Sequence, residues 1–582
     1  TKFNKKSYKN LYKNSIKEIN MVYKDIVRKF ALENASKFNG KANPGKIIGK
    51  VIGENPEFKD KLKDIKQDIL DIVNEVNKLS VEEQIEELKR IAPELLEKKP
   101  VEKKTDLKDL ENAEDGKVVM RFEPSPSGPM HIGHSYVFGL NYLYAKKYNG
   151  KLILRISDTN PENIYEPSYN LIKEDGAWLT NHSITEFMIQ SERLQLYYDY
   201  ALKLIEEGHA YICECDSEEF RSLIQKCEPC PCRELPIEEQ SKRWRKMFEG
   251  YAEGDAVFRI KTDIKDKNPA MRDFPALRIN ESEHPKQGKK FRVWPLMNFS
   301  VAIDDAESGV THTLRGKDHA DNAKRQAIIH EYLNHKTPIA ISVGRINFEG
   351  FPVSCSKTKP LIEDGTYSGW DDIRIPFLPA LKRRGIQPEA LLRYCIEVGV
   401  TRNDKSVHID EFFKTIHAFN KEIIDPNANR YFFVADPVKI TIQDAPNKTV
   451  EMDLHPDNKK SGRTFNCKDS YFIAKEDYNC IQDGEEVRLR DCLNFKKQGE
   501  EFIYTSSEHD KFSGKKLIHW IPEEENYHEA EVLMHNNTTV KGIVEREIEK
   551  LQDGGVCQFE RFGFVRLDSS DQNHYKLWFT HK

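Results

Sequence analysis

The chain has 582 residues, with 90 lysines and arginines against 95 aspartates and glutamates and a net charge of −5. That length exceeds a single core and implies three to five domains, and the near balance of charge excludes a protein whose composition alone announces nucleic acid; any RNA must meet a local basic face. A mean hydropathy of −0.69, without a membrane-length apolar run or a secretory pattern, excludes a membrane protein and leads us to expect a soluble, cytoplasmic one.

Residues 1–96 read as helical. Phe58, Leu62, Ile65, Ile69, Ile72 and Val76 fall at steps of four and three, one apolar stripe on a charged helix. Ser80-Val81-Glu82-Glu83 is a capping box opening the next helix. Such a stripe fits either an appendage that docks a protein or tRNA partner, or a small bundle packed on itself. Glu97 to Asp115 is rich in Lys, Glu and Asp and reads as a solvated linker that closes the first region, 1–115.

Residues 116–210 begin with an apolar strand, Val118 to Phe122, and continue Glu123-Pro124-Ser125-Pro126-Ser127-Gly128-Pro129-Met130-His131-Ile132-Gly133-His134. Helical spacing follows at Ile132, Tyr136, Leu140 and Leu143, and then a second strand, Leu152 to Ile156. This is a βαβ unit of a doubly wound sheet. The prolines and serines resist helix until Pro129, and Gly133 leaves its backbone open to close approach. A helix N-terminus with free N–H groups suits a phosphate, and His131 and His134, one turn apart, can donate to the same anion. Asp158-Thr159-Asn160-Pro161 follows the second strand, where it either faces the ligand site or serves as a turn.

The Pro-Ser-Pro-Ser-Gly-Pro-x-His-Ile-Gly-His stretch resembles the HIGH signature of class I aminoacyl-tRNA synthetases. Its surroundings resemble the glutamyl/glutaminyl subclass, archaeal type, from about residue 30 onward. The resemblance implies a class I Rossmann-like catalytic domain with a helical N-terminal extension, an α/β acceptor-binding insertion, a helical linker subdomain and C-terminal antiparallel β-barrels. It also implies ATP and magnesium as cofactors, with Pro124, Ser127, Gly128, His131, Gly133 and His134 at the ATP. Arg121, Glu123, Ser125, Ser157 and Asp158 are the matching candidates for the amino acid. The family usually has Glu or Asp where Ser157 stands, so either another acid such as Glu123 meets the substrate's ammonium group or tRNA helps assemble the pocket.

Residues 211–290 read as an insertion. The chain has 11 cysteines, an odd and bunched set that favours a reducing compartment and metal over disulfides. Cys213-Glu214-Cys215 and Cys230-Pro231-Cys232 can wrap a tetrahedral zinc ion, or form a reduced buried cluster. Some members of the family bind zinc in this insertion. Lys261-Thr262-Asp263 and Asn268 to Asp273 also resemble the family's acceptor-end insertion.

Residues 291–345 return to the sheet. Val301-Ala302-Ile303 is a buried-strand candidate ending in Asp304-Asp305, and Gly309 to His319 reads as strand, turn and helix start. Arg315 matches a substrate-contacting arginine of the family; with Arg121 it would suit a substrate bearing two carboxylates. Residues 346–425 carry Ser354-Cys355-Ser356-Lys357, the Ser-x-Ser-Lys part of the second signature, KMSKS, whose lysine binds phosphates on a mobile loop in the family. Lys382, Arg383 and Arg384 form a short basic run, either a tRNA phosphate contact or a basic surface helix.

From 426 to 582 short β-rich runs recur: Tyr431–Val434, Val438–Ile442, Val487–Leu489, Leu517–Ile521, Val556–Phe559 and Phe562–Leu567. They read as one or two barrels, to which the family gives anticodon binding. The expected activity is glutamate–tRNA ligation: ATP activates glutamate to its adenylate, and a terminal ribose hydroxyl of tRNA(Glu) takes the glutamyl group. Charging of tRNA(Gln) as well, a glutaminyl enzyme, and a non-catalytic RNA-binding relative are the alternatives.

Overall fold

The structure, a computed structural model, describes residues 23–37, 40–54, 62–95 (backbone alone for 62–65), 106–458, 461–524, 526–571 and 573–582. The chain folds as two units, residues 1–103 and 104–582. In the first, residues 23–37 (α1), Pro44–Glu54 (α2), Leu62–Val76 (α3) and Val81–Ile91 (α4) are helical. The Ser80–Glu83 capping box forms in both directions. Val27, Leu32, Ile47, Val51, Ile69, Val76 and Leu88 share one core, with Ile72 half-buried against it. Phe58 and the side chains of Leu62 and Ile65 lie outside the described residues. Where it is described, the apolar stripe therefore turns inward and closes a bundle on itself. Buried Gln84 ties that bundle by donating to the carbonyls of Gly40, Val76 and Leu79.

The expected linker is docked from Asp106 onward. Leu107 is buried in the core of the second unit, and Lys147 pairs with Asp106 and Asp109 at 2.7 and 3.1 Å. One apolar anchor and one lysine suffice to fix a segment whose composition reads as solvated.

The second unit is built on the parallel strands Val119–Phe122 (β1), Lys151–Ile156 (β2) and Glu186–Ile189 (β3), in that order. Ile132–Lys147 (α5) crosses from β1 to β2, and Ser168–Leu179 (α6) from β2 to β3. On the far side of β1, Thr311 exchanges hydrogen bonds with Val119 and leads into a parallel pair, His312–Gly316 and Ile339–Val343. Register pairs Arg121 with Ile153, and Ser157 N–H still donates to the Pro124 carbonyl beyond the strand ends. Arg121, Glu123, Arg155 and Ser157 consequently share one face.

Val301–Ile303 is not a strand. It lies inside the helix Met297–Glu307, buried from Asn298 to Asp305. A short apolar run buried on all sides has no period to distinguish helix from strand. The insertion is a four-stranded antiparallel sheet, Ala210–Cys213, Val257–Ile260, Pro275–Ile279 and Val293–Pro295, with a core around Trp244, Phe258 and Trp294.

Beyond residue 426 the six expected runs all lie in strands, shifted by a residue or two or broken, as at Phe432, and more strands pair between them. They make two seven-stranded sheets, each with its own core. Pairing is mostly antiparallel, but Val487–Leu489 with Lys516–Ile518, Glu529–Leu533 with His574–Trp578, Arg430–Tyr431 with Gln558–Phe559 and Ile442–Gln443 with Phe502–Ile503 run parallel.

Candidate active site at the strand ends

The loop after β1 delivers His131 to the N-cap of α5. Its Nδ1 accepts from the N–H groups of Gly133 and His134 at 3.1 and 3.3 Å, while His131 N–H donates to His134 Nδ1 at 3.4 Å. Gly133 permits this, because a Cβ there would stand 3.0 Å from His131 Cε1. The two imidazoles stack with centroids 3.8 Å apart. With both Nδ1 atoms accepting, each ring carries its proton on Nε2. Burial holds His134 at about 4, and burial, His134 and Arg345 push His131 well below the usual histidine range. Both are therefore neutral donors near pH 7.

This arrangement corrects one expectation. The first N–H groups of α5 are not free: Ile132 N–H donates to the Pro376 carbonyl, Gly133 and His134 to the His131 ring, and Ser135 to the His131 carbonyl. The local cap satisfies the groups that sequence reasoning assigns to phosphate, and leaves the two Nε2–H groups without a hydrogen bond among the described residues.

Across from α5, Ser354 precedes the helix Cys355–Glu363, and Lys357 lies exposed in its first turn. His131, Gly133, His134 and Ser127 line one wall of a cavity of about 690 Å³; Ser354, Ser356 and Lys357 line another. Pro124 and Gly128 do not line it. Pro124 ties β1 to Ser157, and Gly128 packs on Cys355 and Trp370.

Beside the cavity lies a buried charge cluster. Arg121 grips Asp305 through Nε and Nη2 at 3.1 and 3.2 Å, and Arg155 reaches Asp305 at 2.6 Å and Glu123 at 3.0 Å. Burial works against the Asp305 charge, yet Arg121 and Arg155 hold its carboxyl at about 2. Arg315 forms no ion pair among the described residues; it donates to Gln326 at 2.7 Å. Burial and repulsion from Arg121 lower it to about 10. The two expected substrate arginines therefore differ, with Arg121 clamped by an acid and Arg315 uncompensated.

Ser157 and Asp158 are also committed. Ser157 Oγ donates to Gln190 at 2.9 Å. Asp158 accepts from Ser191 N–H, Ser191 Oγ and Tyr169 Oη at 2.7 to 2.8 Å, locking the turn that sequence reasoning places at the substrate. Ser125 is exposed in the loop. Sequence reasoning gave no role to Arg155, Gln190, Asp304 or Asp305. An arginine inside an apolar strand was the available signal, since a buried charge must be paired.

A family described as "tRNA synthetases class I (E and Q), catalytic domain" matches residues 117–426. The corresponding anti-codon binding domain families match 428–508 and 517–568. The chain belongs to the class I (E and Q) tRNA synthetases. It is 41% identical over 566 residues to a glutamate–tRNA ligase of Methanococcus maripaludis, covering 96% of this chain and 100% of the relative. It is 43% identical to the one from Thermococcus kodakarensis (96% and 99% covered) and 42% identical to the one from Pyrococcus furiosus (97% and 100%).

Two further features of this synthetase were expected from its sequence. Cys213, Cys215, Cys230 and Cys232 converge, all four Sγ atoms lying within 4.8 Å of one another. The Cys213–Cys230 and Cys215–Cys232 separations are 3.8 Å. A tetrahedron with Zn–S bonds of about 2.3 Å has edges of about 3.8 Å, so the set fits zinc. The basic run is divided. Lys382 is exposed, but Arg383 pairs with Asp568 and Asp371 and stacks on Trp578, while buried Arg384 lies against His417 and Thr580. Two of the three bind the chain itself, because acids distant in sequence fold onto them. Among the described residues, no helix is long and apolar enough to cross a membrane.

Proposed function

We propose that this synthetase is a glutamate–tRNA ligase. ATP would occupy the cavity that both signatures line, with its phosphates met by the Nε2–H groups of His131 and His134 and by Lys357. Glutamate would enter the arginine cluster beside it and attack the α-phosphate. A terminal ribose hydroxyl of tRNA(Glu) then takes the acyl group. No protein nucleophile is needed, because fixed donors act on charge that grows as pyrophosphate leaves. Asp318 is the single carboxylate lining the cavity, so a magnesium ion would be held mainly by the nucleotide, where it neutralises phosphate charge. Zinc on the four cysteines would crosslink the acceptor-end insertion. The enzyme would work in the cytoplasm.

The observation that carries glutamate over glutamine is Arg315, a half-buried guanidinium that donates to Gln326 and forms no ion pair among the described residues. An anionic side chain satisfies it and a neutral amide does not. The test is aminoacylation with both amino acids and both tRNAs, with tRNA-dependent pyrophosphate exchange. Glutamyl-tRNA(Glu) is the expected product. Charging of tRNA(Gln) with glutamate as well would broaden the tRNA specificity. Glutaminyl product alone would establish a glutaminyl enzyme, and no exchange with either would leave an RNA-binding protein.

A further inference from the structure

Arg315, which forms no ion pair among the described residues, can meet a carboxylate of an amino-acid substrate, but the substrate's ammonium group also needs a counter-charge. Among the described residues of this cluster, Asp305 and Asp304 of the helix Met297–Glu307 and Asp158 after β2 are fully engaged. Asp305 is held by Arg121 and Arg155. Asp304 accepts from Arg193, Gln190 and Tyr197 at 2.8 to 2.9 Å. Asp158 holds Ser191 and Tyr169. Ser157, on the end of β2, has no charge and gives its hydroxyl hydrogen to Gln190.

Glu123 is different. Arg155 fixes its Oε2 at 3.0 Å, while its Oε1 is buried with no hydrogen-bond partner. The side chain is 8% exposed and lies 3.8 Å from Arg121. A buried carboxylate oxygen left unpaired among fixed charges is an acceptor awaiting a donor. Parallel register puts Glu123 on the same face as Ser157, one strand across.

We propose that Glu123 Oε1 accepts the ammonium group of the amino-acid substrate, so that the end of β1 supplies the negative charge that the end of β2 lacks. This rests on the reading that the chain activates glutamate. Arg155 acts as a positioning residue, because its bond to Oε2 fixes the carboxylate and leaves Oε1 as the open acceptor.

The test compares glutamate with glutarate, which keeps both carboxylates and lacks the amino group. The readout is tRNA-dependent pyrophosphate exchange, with glutarate as a competitive inhibitor. In Glu123→Gln the KM for glutamate should rise at least about tenfold, the scale of one charge-assisted hydrogen bond. The inhibition constant of glutarate and the KM for ATP should stay within about twofold, a shift too small to represent a lost charged contact. Should Glu123→Gln not fold, Glu123→Asp draws the charge back by one methylene and must still weaken glutamate more than glutarate. Equal weakening of both ligands, or of neither, overturns the assignment and leaves Glu123 a structural partner of Arg155. Exchange by the unaltered protein separates the two readings. If it activates no glutamate, the functional reading fails and this inference with it; if it does and the variants fail to discriminate, only the role of Glu123 is lost.

Discussion

Gly128 and Cys355 touch so closely that a Cβ on the glycine would stand 2.8 Å from the cysteine Sγ. The two stretches that resemble class I signatures, more than 200 residues apart, are thereby packed against each other. Gly128→Ala should push the helix that carries Lys357 away from α5. Overpacking of this kind costs about 1–3 kcal/mol, and here it falls on catalytic geometry. We expect adenylation to slow with little loss of tRNA affinity, measured by pyrophosphate exchange and filter binding. An unchanged exchange rate would mean that the contact does not set the cavity.

His134→Ala and Lys357→Ala should each slow single-turnover adenylation by roughly a hundredfold, the scale of one preorganised donor on developing charge. Binding of tRNA should remain near that of the unaltered protein. A normal rate in either variant would remove that residue from the chemistry.

The state of the histidines predicts a pH dependence. His134 titrates near 4 in the folded protein because it is buried, against about 6.5 when unfolded. The unfolded chain therefore binds more protons between those values, so stability should fall as pH drops from about 6.5 toward 4. His131, lowered for the same first reason, adds to the trend. Adenylation should show no histidine titration between pH 6 and 8, since both rings are already neutral. A rate that climbs as pH falls through 6.5 would show that the histidines act as cations.

If zinc sits on the cysteine cluster, freshly purified protein should contain close to one equivalent by elemental analysis. Changing Cys230 and Cys232 together to Ser should release it and weaken acceptor-end binding more than ATP binding. Metal-free protein with full charging activity would leave the cysteines as a packed core.

Lys382 and Arg383 should separate cleanly. Lys382→Ala should weaken tRNA binding and reduce its salt slope by about one, as expected for one lost phosphate contact. Arg383→Ala breaks the pairing with Asp568 and Asp371, so it should lower thermal stability while leaving that slope unchanged. A reduced slope in Arg383→Ala would return that residue to the RNA face.

Much of this protein is legible without coordinates. The strand–loop–helix–strand order from Val118 to Ile156, the capping box at Ser80 and the pairing of Cys-x-Cys with Cys-x-Cys all follow from local rules of spacing and capping. The C-terminal strands announce themselves by apolar runs between turns, although Val301–Ile303 shows how a run buried on all sides hides its period. Charge was harder to read. A sequence shows that Arg383, Arg384, Asp158 and Ser157 are polar, but not which distant residue holds each one. Asp568 lies 185 residues from Arg383, and Asp305 lies 184 from Arg121. Tertiary structure decided which charges are already paired, and so which remain for ligands. Arg315, which forms no ion pair among the described residues, and the second oxygen of Glu123, which has no hydrogen-bond donor, are two groups left open. Burial strengthens every such imbalance, since the low dielectric that makes a pair strong makes a lone charge costly.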